Sequence, residues 1–185
     1  QFNVSAVDKK PTKRNPYAPF TISSLQQDAS SRLGLSPNRT MQIAQRLYED
    51  GLITYMRTDA VQMAPEGIAM ARSVIGKYFG DEYLPEKARI YQTKAKNAQE
   101  AHEAIRPSKI AKETAGTTED QKRLYQLIWQ RTVASQMADA KVLRTKVLAN
   151  VEGSPMPNFA ATGQGIVFSG WLAGDPGARG EDVEL

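Results

Sequence analysis

The sequence predicts a mainly α protein, a helical body with β-strands at its flanks. Apolar residues recur at helical spacing through the middle of the chain, whereas alternating and β-branched runs occupy both ends. The first two predicted helices are separated by a tight turn and followed by an extended segment. That order is typical of a helix-turn-helix or winged-helix unit.

The N-terminal residues predict a short strand followed by a connector. Phe2, Val4 and Ala6 alternate with polar residues, as in a half-buried strand. The segment 9–16 then holds two prolines and four basic residues, which favours an extended connector. We therefore expect a domain boundary there.

Two helices are predicted next. The first covers residues 21–34, where Ser23 and Gln26 have the spacing of a capping box. The second covers 36–51, with a Ser-Pro start and a glycine at its end. Its predicted buried face holds Met41, Ala44, Leu47 and Tyr48. The β-branched and aromatic residues at 52–55 predict an extended segment.

Further helices are predicted on both sides of a weakly patterned stretch. Apolar spacing predicts a helix over 65–79 and a longer one over 118–137. Between them, most of 86–99 is predicted as loop. Residues 98–105 predict a short helix that ends where Arg106 precedes a proline.

The pattern returns to β-structure near residue 141. Residues 141–151 form a β-rich run, and 159–168 predict a second strand region. Gly163 and Gly165 inside that region predict a bend or bulge. The segment 173–185 is rich in Gly, Asp and Pro, and is predicted to be loose.

The composition excludes several classes of site. The chain has 185 residues, no cysteine and one histidine, which excludes disulfides, thiolate catalysis and multi-histidine metal centres. No apolar run approaches the roughly 20 residues that span a bilayer. No signal peptide is predicted, and the N-terminal Gln suggests a fragment of a longer protein.

The charge is distributed unevenly along the chain. Residues 1–150 hold 23 basic and 15 acidic residues, whereas 151–185 hold one basic and five acidic residues. A positive body favours a polyanionic partner, but ordinary solvated charge explains the same counts. Both explanations stay open on charge alone.

The segment 51–59 reads GLITYMRTD and contains the most informative pair of residues. Tyr55 and Arg57 lie two apart, on one face if the segment is extended. A guanidinium can hold phosphate oxygens, stabilise charge that develops at phosphorus and favour tyrosinate. From the residues alone, a half-buried tyrosine beside a surface arginine remains the more common explanation.

This segment resembles the active-site tyrosine motif of bacterial type IA DNA topoisomerases. Four further stretches resemble that family in order: PFTISSLQQ at 19–27, RLYE at 46–49, QEAHEAIRP at 99–107 and LYQLIW at 124–129. The similarity covers about residues 17–172. Met56 and Arg106 favour the topoisomerase I branch over topoisomerase III, while Ala60 departs from a common serine.

The resemblance implies a mechanism. Tyr55 would cut one DNA strand by transesterification, giving a 5′-phosphotyrosine link and a free 3′-hydroxyl. Another strand would pass through the gap before resealing, so that negatively supercoiled DNA is relaxed without ATP. Arg57 would stabilise the phosphate, supported by three neighbours: Thr54, Thr58 and Asp59.

The second signature implies two more site residues. His102, the only histidine, would lie near the scissile phosphate and donate to it. Arg106 would either contact DNA or tie the motif down, and the two alternatives are even. Neighbouring Glu103 is a candidate for orienting the ring of His102.

The resemblance also implies partners and a domain plan. Mg²⁺ would be held by acidic residues of a TOPRIM domain, and we expect that domain to be absent here because the chain has no Asp-x-Asp pair. We expect two kinds of partner: single-stranded DNA, and the TOPRIM and base domains of the same protein. The expected location is the nucleoid in the cytoplasm, and the isolated fragment is expected to be inactive. A helical domain, 17–140, would be inserted in a discontinuous β domain formed by 1–16 and 141–185.

One rival interpretation is a winged-helix DNA-binding module without catalysis. It would place the second predicted helix in the major groove and give Tyr55 no role. That helix offers only Arg39 and Arg46 as basic residues, which is few for reading a groove. A structural fragment without activity is the other alternative.

Overall fold

The computed structural model describes residues 2–93, 102–153, 155 and 157–180. Its helices and strands follow in this chain order: β1 (Phe2–Arg14), α1 (Ile22–Leu33), α2 (Pro37–Glu49), α3 (Pro65–Tyr78), α4 (Glu119–Ala134), β2 (Ala140–Val151) and β3 (Phe159–Phe168). Short 3₁₀ turns occur at Asp81–Tyr83, Gly170–Ala173 and Pro176–Ala178. Within the described residues, no helix is both long and apolar enough to cross a membrane.

The predicted mainly α class is wrong. The described residues are 38% helical and 23% strand, and their strands form one antiparallel sheet in the order β1-β2-β3. The largest difference is at the N-terminus, where β1 includes the predicted connector as far as Arg14. Pro11 is compatible with a strand because β1 is an edge strand and pairs on one side only.

The sheet joins the two ends of the chain. β1 pairs with β2 from Phe2 opposite Val151 to Arg14 opposite Ala140, with a register shift near Val4. The β2–β3 register shifts at Lys141 instead of at Gly163 or Gly165, so the bulge was predicted in the wrong place. Local glycine content did not determine the bulge, because pairing with the neighbouring strand sets the register.

The starts of α1 and α2 depend on side-chain caps. Thr21 caps α1 in a reciprocal capping box with Ser24, so the predicted Ser23–Gln26 pair is wrong. The predicted start of α2 is confirmed, with Ser36 accepting a hydrogen bond from the Arg39 amide (3.2 Å). On the predicted buried face of α2, Ala44 and Leu47 are buried, Met41 is partly buried and Tyr48 is exposed.

Helices α3 and α4 lie close to their predicted positions. Thr118 accepts a hydrogen bond from the Gln121 amide (3.2 Å) and caps α4, which ends at Ala134 instead of Met137. Residues 86–93 lack regular helix or strand, as predicted, while 94–99 fall outside the described residues. The short helix predicted over 98–105 is absent from 102–105, and 98–101 fall outside the described residues.

The C-terminal segment packs onto the helical body as far as Ala178, contrary to its predicted looseness. Trp171 is 1% exposed, and its indole donates to the Arg14 carbonyl (2.9 Å). Asp175 is also buried and accepts a hydrogen bond from Arg32 (2.7 Å). These contacts attach the base of the sheet to the helices, because burying a large indole stabilises the packed state. Residues 181–185 fall outside the described part.

The core lies where α1, α2 and α4 face one another and is lined by Leu25, Ala29, Ile43, Leu47, Leu124 and Ile128. The apolar spacing of these residues explains why they share one interior. The segment after α2 lies against this core and begins at Gly51, whose positive φ of 71° turns the chain out of the helix.

Candidate active site

Two extended segments, 52–59 and 102–108, lie side by side. The Thr54 amide donates to the Arg106 carbonyl (2.9 Å), and the Ser108 amide donates to the Leu52 carbonyl (2.9 Å). Ile53 and Pro107 form an isolated antiparallel bridge. The segment predicted to be extended is therefore held by a two-residue bridge, not by a continuous strand.

A third segment, which contains Phe20 and Ile22, bonds to both of these segments. The Ile105 amide donates to the Phe20 carbonyl (2.8 Å), and the Ile22 amide donates to the Thr58 carbonyl (2.9 Å). Three of the stretches that carry the family resemblance, separated widely in sequence, thus meet through backbone hydrogen bonds. Their meeting fixes the backbone on both sides of Tyr55.

Burial alternates along the segment that contains Tyr55. Ile53, Met56 and Ala60 are buried against the core, whereas Tyr55 and Arg57 are exposed. The alternation puts the phenol and the guanidinium on the solvent side; the spacing predicted a common face but left its exposure open.

The two threonines of this segment bond to nearby backbone groups. Thr54 Oγ1 donates to the Ala104 carbonyl (2.7 Å) and accepts from the Arg106 amide (2.9 Å). Thr58 is 5% exposed, and its hydroxyl accepts from the Ala60 amide (3.1 Å). Their hydroxyls therefore hold the segment in place. Asp59 is exposed.

The ring of Tyr55 packs against two other rings. Its centroid lies 5.3 Å from that of Tyr48, at an interplanar angle of 67°. The centroid of His102 lies 6.2 Å away at 32°. Tyr55 remains 40% exposed and is therefore accessible to a ligand.

Arg57 carries a positive charge two residues after Tyr55 in the sequence. Within the described residues, the structure contains no ion pair between Arg57 and a carboxylate, and the side chain is exposed. A guanidinium in this state can bind a phosphate without first losing an internal partner.

His102 lies close to Tyr55, while its role toward a phosphate stays a prediction. Its side chain is partly buried, and its backbone carbonyl accepts from Gln62 Nε2 (3.3 Å). Gln62 Oε1 accepts from the Thr93 hydroxyl (2.7 Å), and the Gln62 carbonyl accepts from the Ala104 amide (2.8 Å). Gln62 thus supports the segment that carries His102, and sequence patterns gave no signal for it.

The side chain of Arg106 points into the protein. It is 8% exposed, and its Nε and Nη2 donate to the two carboxylate oxygens of Glu103 (2.7 and 3.0 Å). Its Nη1 donates to the Pro107 carbonyl (3.1 Å). This geometry favours the role of tying the motif down, while a DNA contact stays a prediction.

Glu103 connects this pair to α3. Its Oε2 accepts from the Ala64 amide (3.0 Å) at the start of α3, where Ala64 itself offers no capping side chain. Burial alone raises the pKa of Glu103. The hydrogen bonds from Arg106 and Ala64 and the charge of Arg106 outweigh burial, and hold the pKa of Glu103 below its ordinary value of 4.5.

The basic residues of α2 are engaged in ion pairs. Arg39 Nη2 lies 2.8 Å from Asp120 Oδ2, and Arg46 lies 3.7 Å from carboxylate oxygens of both Glu49 and Asp50. These pairs reduce the positive charge that a winged-helix module would offer to a DNA groove. They therefore weaken that rival interpretation.

Metal-ligating side chains are dispersed in the described part of the chain. No group of three or more His, Cys, Asp or Glu residues there is placed to hold a metal ion. The described residues consequently offer no ready-made Mg²⁺ site.

Known proteins that resemble this chain are DNA topoisomerases. The family profile described as DNA topoisomerase matches residues 1–184. The chain is 53% identical to DNA topoisomerase 1 of Zymomonas mobilis, in a match that covers 92% of this chain. It is 46% identical to DNA topoisomerase 1 of Streptomyces coelicolor, in a match that covers 100% of this chain. It spans only 14% and 20% of those two proteins.

A solved structure shows the same fold. Full-length topoisomerase I from Thermotoga maritima superimposes with a TM-score of 0.82 at 34% sequence identity. The match covers 100% of this chain and 31% of that one.

Proposed function

The chain belongs to the type IA DNA topoisomerase family, and from that premise we propose that Tyr55 attacks one strand of DNA. The observation that carries the proposal is the placement of Tyr55. Its phenol is exposed beside His102, while hydrogen bonds on both sides hold its backbone.

The proposed step exchanges one phosphodiester for another. The phenolic oxygen of Tyr55 forms a bond to phosphorus, and the bond between phosphorus and the 3′-oxygen of the preceding nucleotide breaks. The phenol loses its proton and the 3′-oxygen gains one, which leaves a 5′-phosphotyrosine and a free 3′-hydroxyl. Resealing reverses these changes, so ATP is not required, and strand passage between the two steps relaxes negative supercoils.

Arg57 is proposed to stabilise the charge that builds up at phosphorus during this exchange. An exposed guanidinium without an internal ion pair can donate to two phosphate oxygens at once. Such stabilisation is stronger in the transition state than in the bound substrate, so it accelerates the reaction.

The remaining site residues are proposed to act around this pair. His102 donates to a phosphate oxygen from beside Tyr55, since an imidazole can donate whether neutral or charged. Thr54 and Thr58 hold the segment through their hydroxyl hydrogen bonds, and exposed Asp59 supports its outer side. Arg106 ties the second segment to α3 through Glu103.

The substrate, the metal and the remaining domains belong to the proposal as well. We infer that the partners are single-stranded DNA at the cleavage site and the TOPRIM and base domains of the full-length protein. Those domains would supply the Mg²⁺ site, and the enzyme would act in the cytoplasm. The isolated chain should then cleave no DNA. A division of this chain near residues 16 and 140 is likewise proposed, and limited proteolysis tests it.

The experiment compares Tyr55→Phe with Tyr78→Phe in the full-length enzyme. Tyr78 is another exposed tyrosine, on α3, and serves as the matched control. Tyr55→Phe should abolish relaxation of supercoiled plasmid and formation of the covalent adduct, while single-stranded DNA affinity stays within a few-fold. Tyr78→Phe should behave as wild type. Persistent relaxation by Tyr55→Phe would refute the proposal.

A further inference from the structure

Tyr48 is an exposed aromatic residue in the last turn of α2. Tyr48 remains 43% exposed and is not part of the buried core. Its ring packs edge-to-face against that of Tyr55, at 5.3 Å and 67°. That geometry is one of the preferred arrangements of two aromatic rings, because the positive edge of one meets the negative face of the other.

The backbone connection between the two tyrosines is constrained. The Gly51 amide donates to the Tyr48 carbonyl, and the Leu52 amide donates to the Leu47 carbonyl (both 2.9 Å). Leu47 is fully buried in the core. The end of α2 and the segment carrying Tyr55 therefore form one fixed unit, in which Tyr48 presents its ring to Tyr55.

The ring of Tyr55 nevertheless needs a restraint of its own. Backbone hydrogen bonds fix its neighbour Thr54, but an exposed tyrosine can still rotate about its side-chain bonds. Tyr48 and His102, whose rings pack against that of Tyr55, limit this rotation. A nucleophile held in one orientation reacts faster, because attack requires alignment of its oxygen with phosphorus.

We propose that Tyr48 is a positioning residue that holds the ring of Tyr55 in its attacking orientation. The inference rests on the proposed function of Tyr55 as the nucleophile. Since Tyr55 is the attacking group in cleavage and the leaving group in resealing, both steps pass through the same transition state. Tyr48 therefore accelerates both.

The test uses the full-length enzyme with a labelled single-stranded oligonucleotide and Mg²⁺. Single-turnover cleavage and resealing rates are measured at saturating enzyme, and the dissociation constant is measured by anisotropy without Mg²⁺. The variants are Tyr48→Phe, which keeps the ring, and Tyr48→Leu and Tyr48→Gln, which remove it. Tyr78→Leu is the matched control, since it removes an exposed aromatic ring from another helix.

Loss of the ring should slow cleavage and resealing together by about tenfold, the scale on which aromatic pairs and misplaced groups act. The dissociation constant should stay within about twofold. Tyr48→Phe should restore both rates, and Tyr78→Leu should leave them unchanged. The Gln variant keeps the test valid if the Leu variant fails to fold.

Three results would overturn the inference. Unchanged rates in the folded Leu or Gln variant would show that Tyr48 restrains nothing. A weaker dissociation constant with unchanged rates would make Tyr48 a DNA contact instead. Slow rates in Tyr48→Phe would assign the effect to the hydroxyl. If Tyr55→Phe also formed the adduct, the proposed function itself would fail, which separates the two failures.

Discussion

Thr54 and Arg106 bind each other reciprocally. The Thr54 amide donates to the Arg106 carbonyl, and the Arg106 amide donates to the Thr54 hydroxyl, both at 2.9 Å. On the first segment, Tyr55 directly follows Thr54. On the second segment, the side chain of Arg106 is paired with Glu103. This connection therefore transmits the position of the second segment to the backbone of the proposed nucleophile.

Removing the hydroxyl of Thr54 should weaken this connection. Thr54→Val keeps the shape but leaves the Arg106 amide and the Ala104 carbonyl without their partner, at an expected cost of about 1–3 kcal/mol. Thr54→Ser keeps the hydroxyl and should lose less stability. Urea unfolding of the purified chain measures both, and equal stability of Val and wild type would contradict the role of the hydroxyl.

Two glycines of α3 should respond in opposite ways to alanine. A Cβ on Gly67 would lie 2.7 Å from Arg106 Nε, so Gly67→Ala should destabilise the chain by about 1–3 kcal/mol despite alanine's higher helix propensity. Gly76→Ala meets its nearest atom at 3.4 Å and should be neutral or stabilising by up to about 1 kcal/mol. Thermal unfolding compares them, and a destabilisation shared equally by both would argue against close packing onto Arg106.

Glu103 should make the stability of the chain depend on acid pH. Because its pKa is lowered in the fold, its contribution is complete above about pH 4.5 and is lost as the pH falls through the lower, folded pKa. Glu103→Gln removes that contribution. Unfolding free energies measured from about pH 6 to 3 should therefore converge for wild type and variant at the acid end. A constant difference would show that ionisation of Glu103 is irrelevant.

Arg57 should affect the chemical step more than DNA binding. In the full-length enzyme, Arg57→Ala should slow single-turnover cleavage by a factor on the order of 10², and Arg57→Lys should recover part of that loss. Arg123→Ala removes the same charge from exposed α4 and is the control. If Arg57→Ala and Arg123→Ala slow cleavage by the same factor, general electrostatic attraction accounts for the effect of Arg57.

Local sequence signals predicted most of the helices and only part of the sheet. The Ser36–Pro37 start and the Thr118 cap are complete within a few residues, so α2 and α4 were placed correctly at their N-termini. The length of β1 depends on pairing with β2, more than a hundred residues away in sequence. Nothing local in the segment up to Arg14 shows that partner, which is why it was predicted as a connector.

In the candidate site, too, some features follow from local sequence and others depend on residues distant in the chain. The spacing of Tyr55 and Arg57 predicted that they share a face, because alternation is a local property, but it did not predict that this face is exposed. The inward direction of Arg106 depends on Glu103 and on the space that Gly67 leaves, which come from two separate segments. Tyr48 was assigned to the core by its helical spacing, yet its position in the last turn of α2 brings it to Tyr55.

The most direct test of the account identifies the residue that becomes linked to DNA. Full-length enzyme trapped on a single-stranded oligonucleotide is digested with nuclease and trypsin, and the modified peptide is sequenced by mass spectrometry. Cleavage after Arg46 and Arg57 yields residues 47–57, which contain both Tyr48 and Tyr55, so fragment ions must separate the two. The account predicts a nucleotide linked through its 5′-phosphate to Tyr55. A nucleotide on Tyr48, or on any residue outside this peptide, would contradict it.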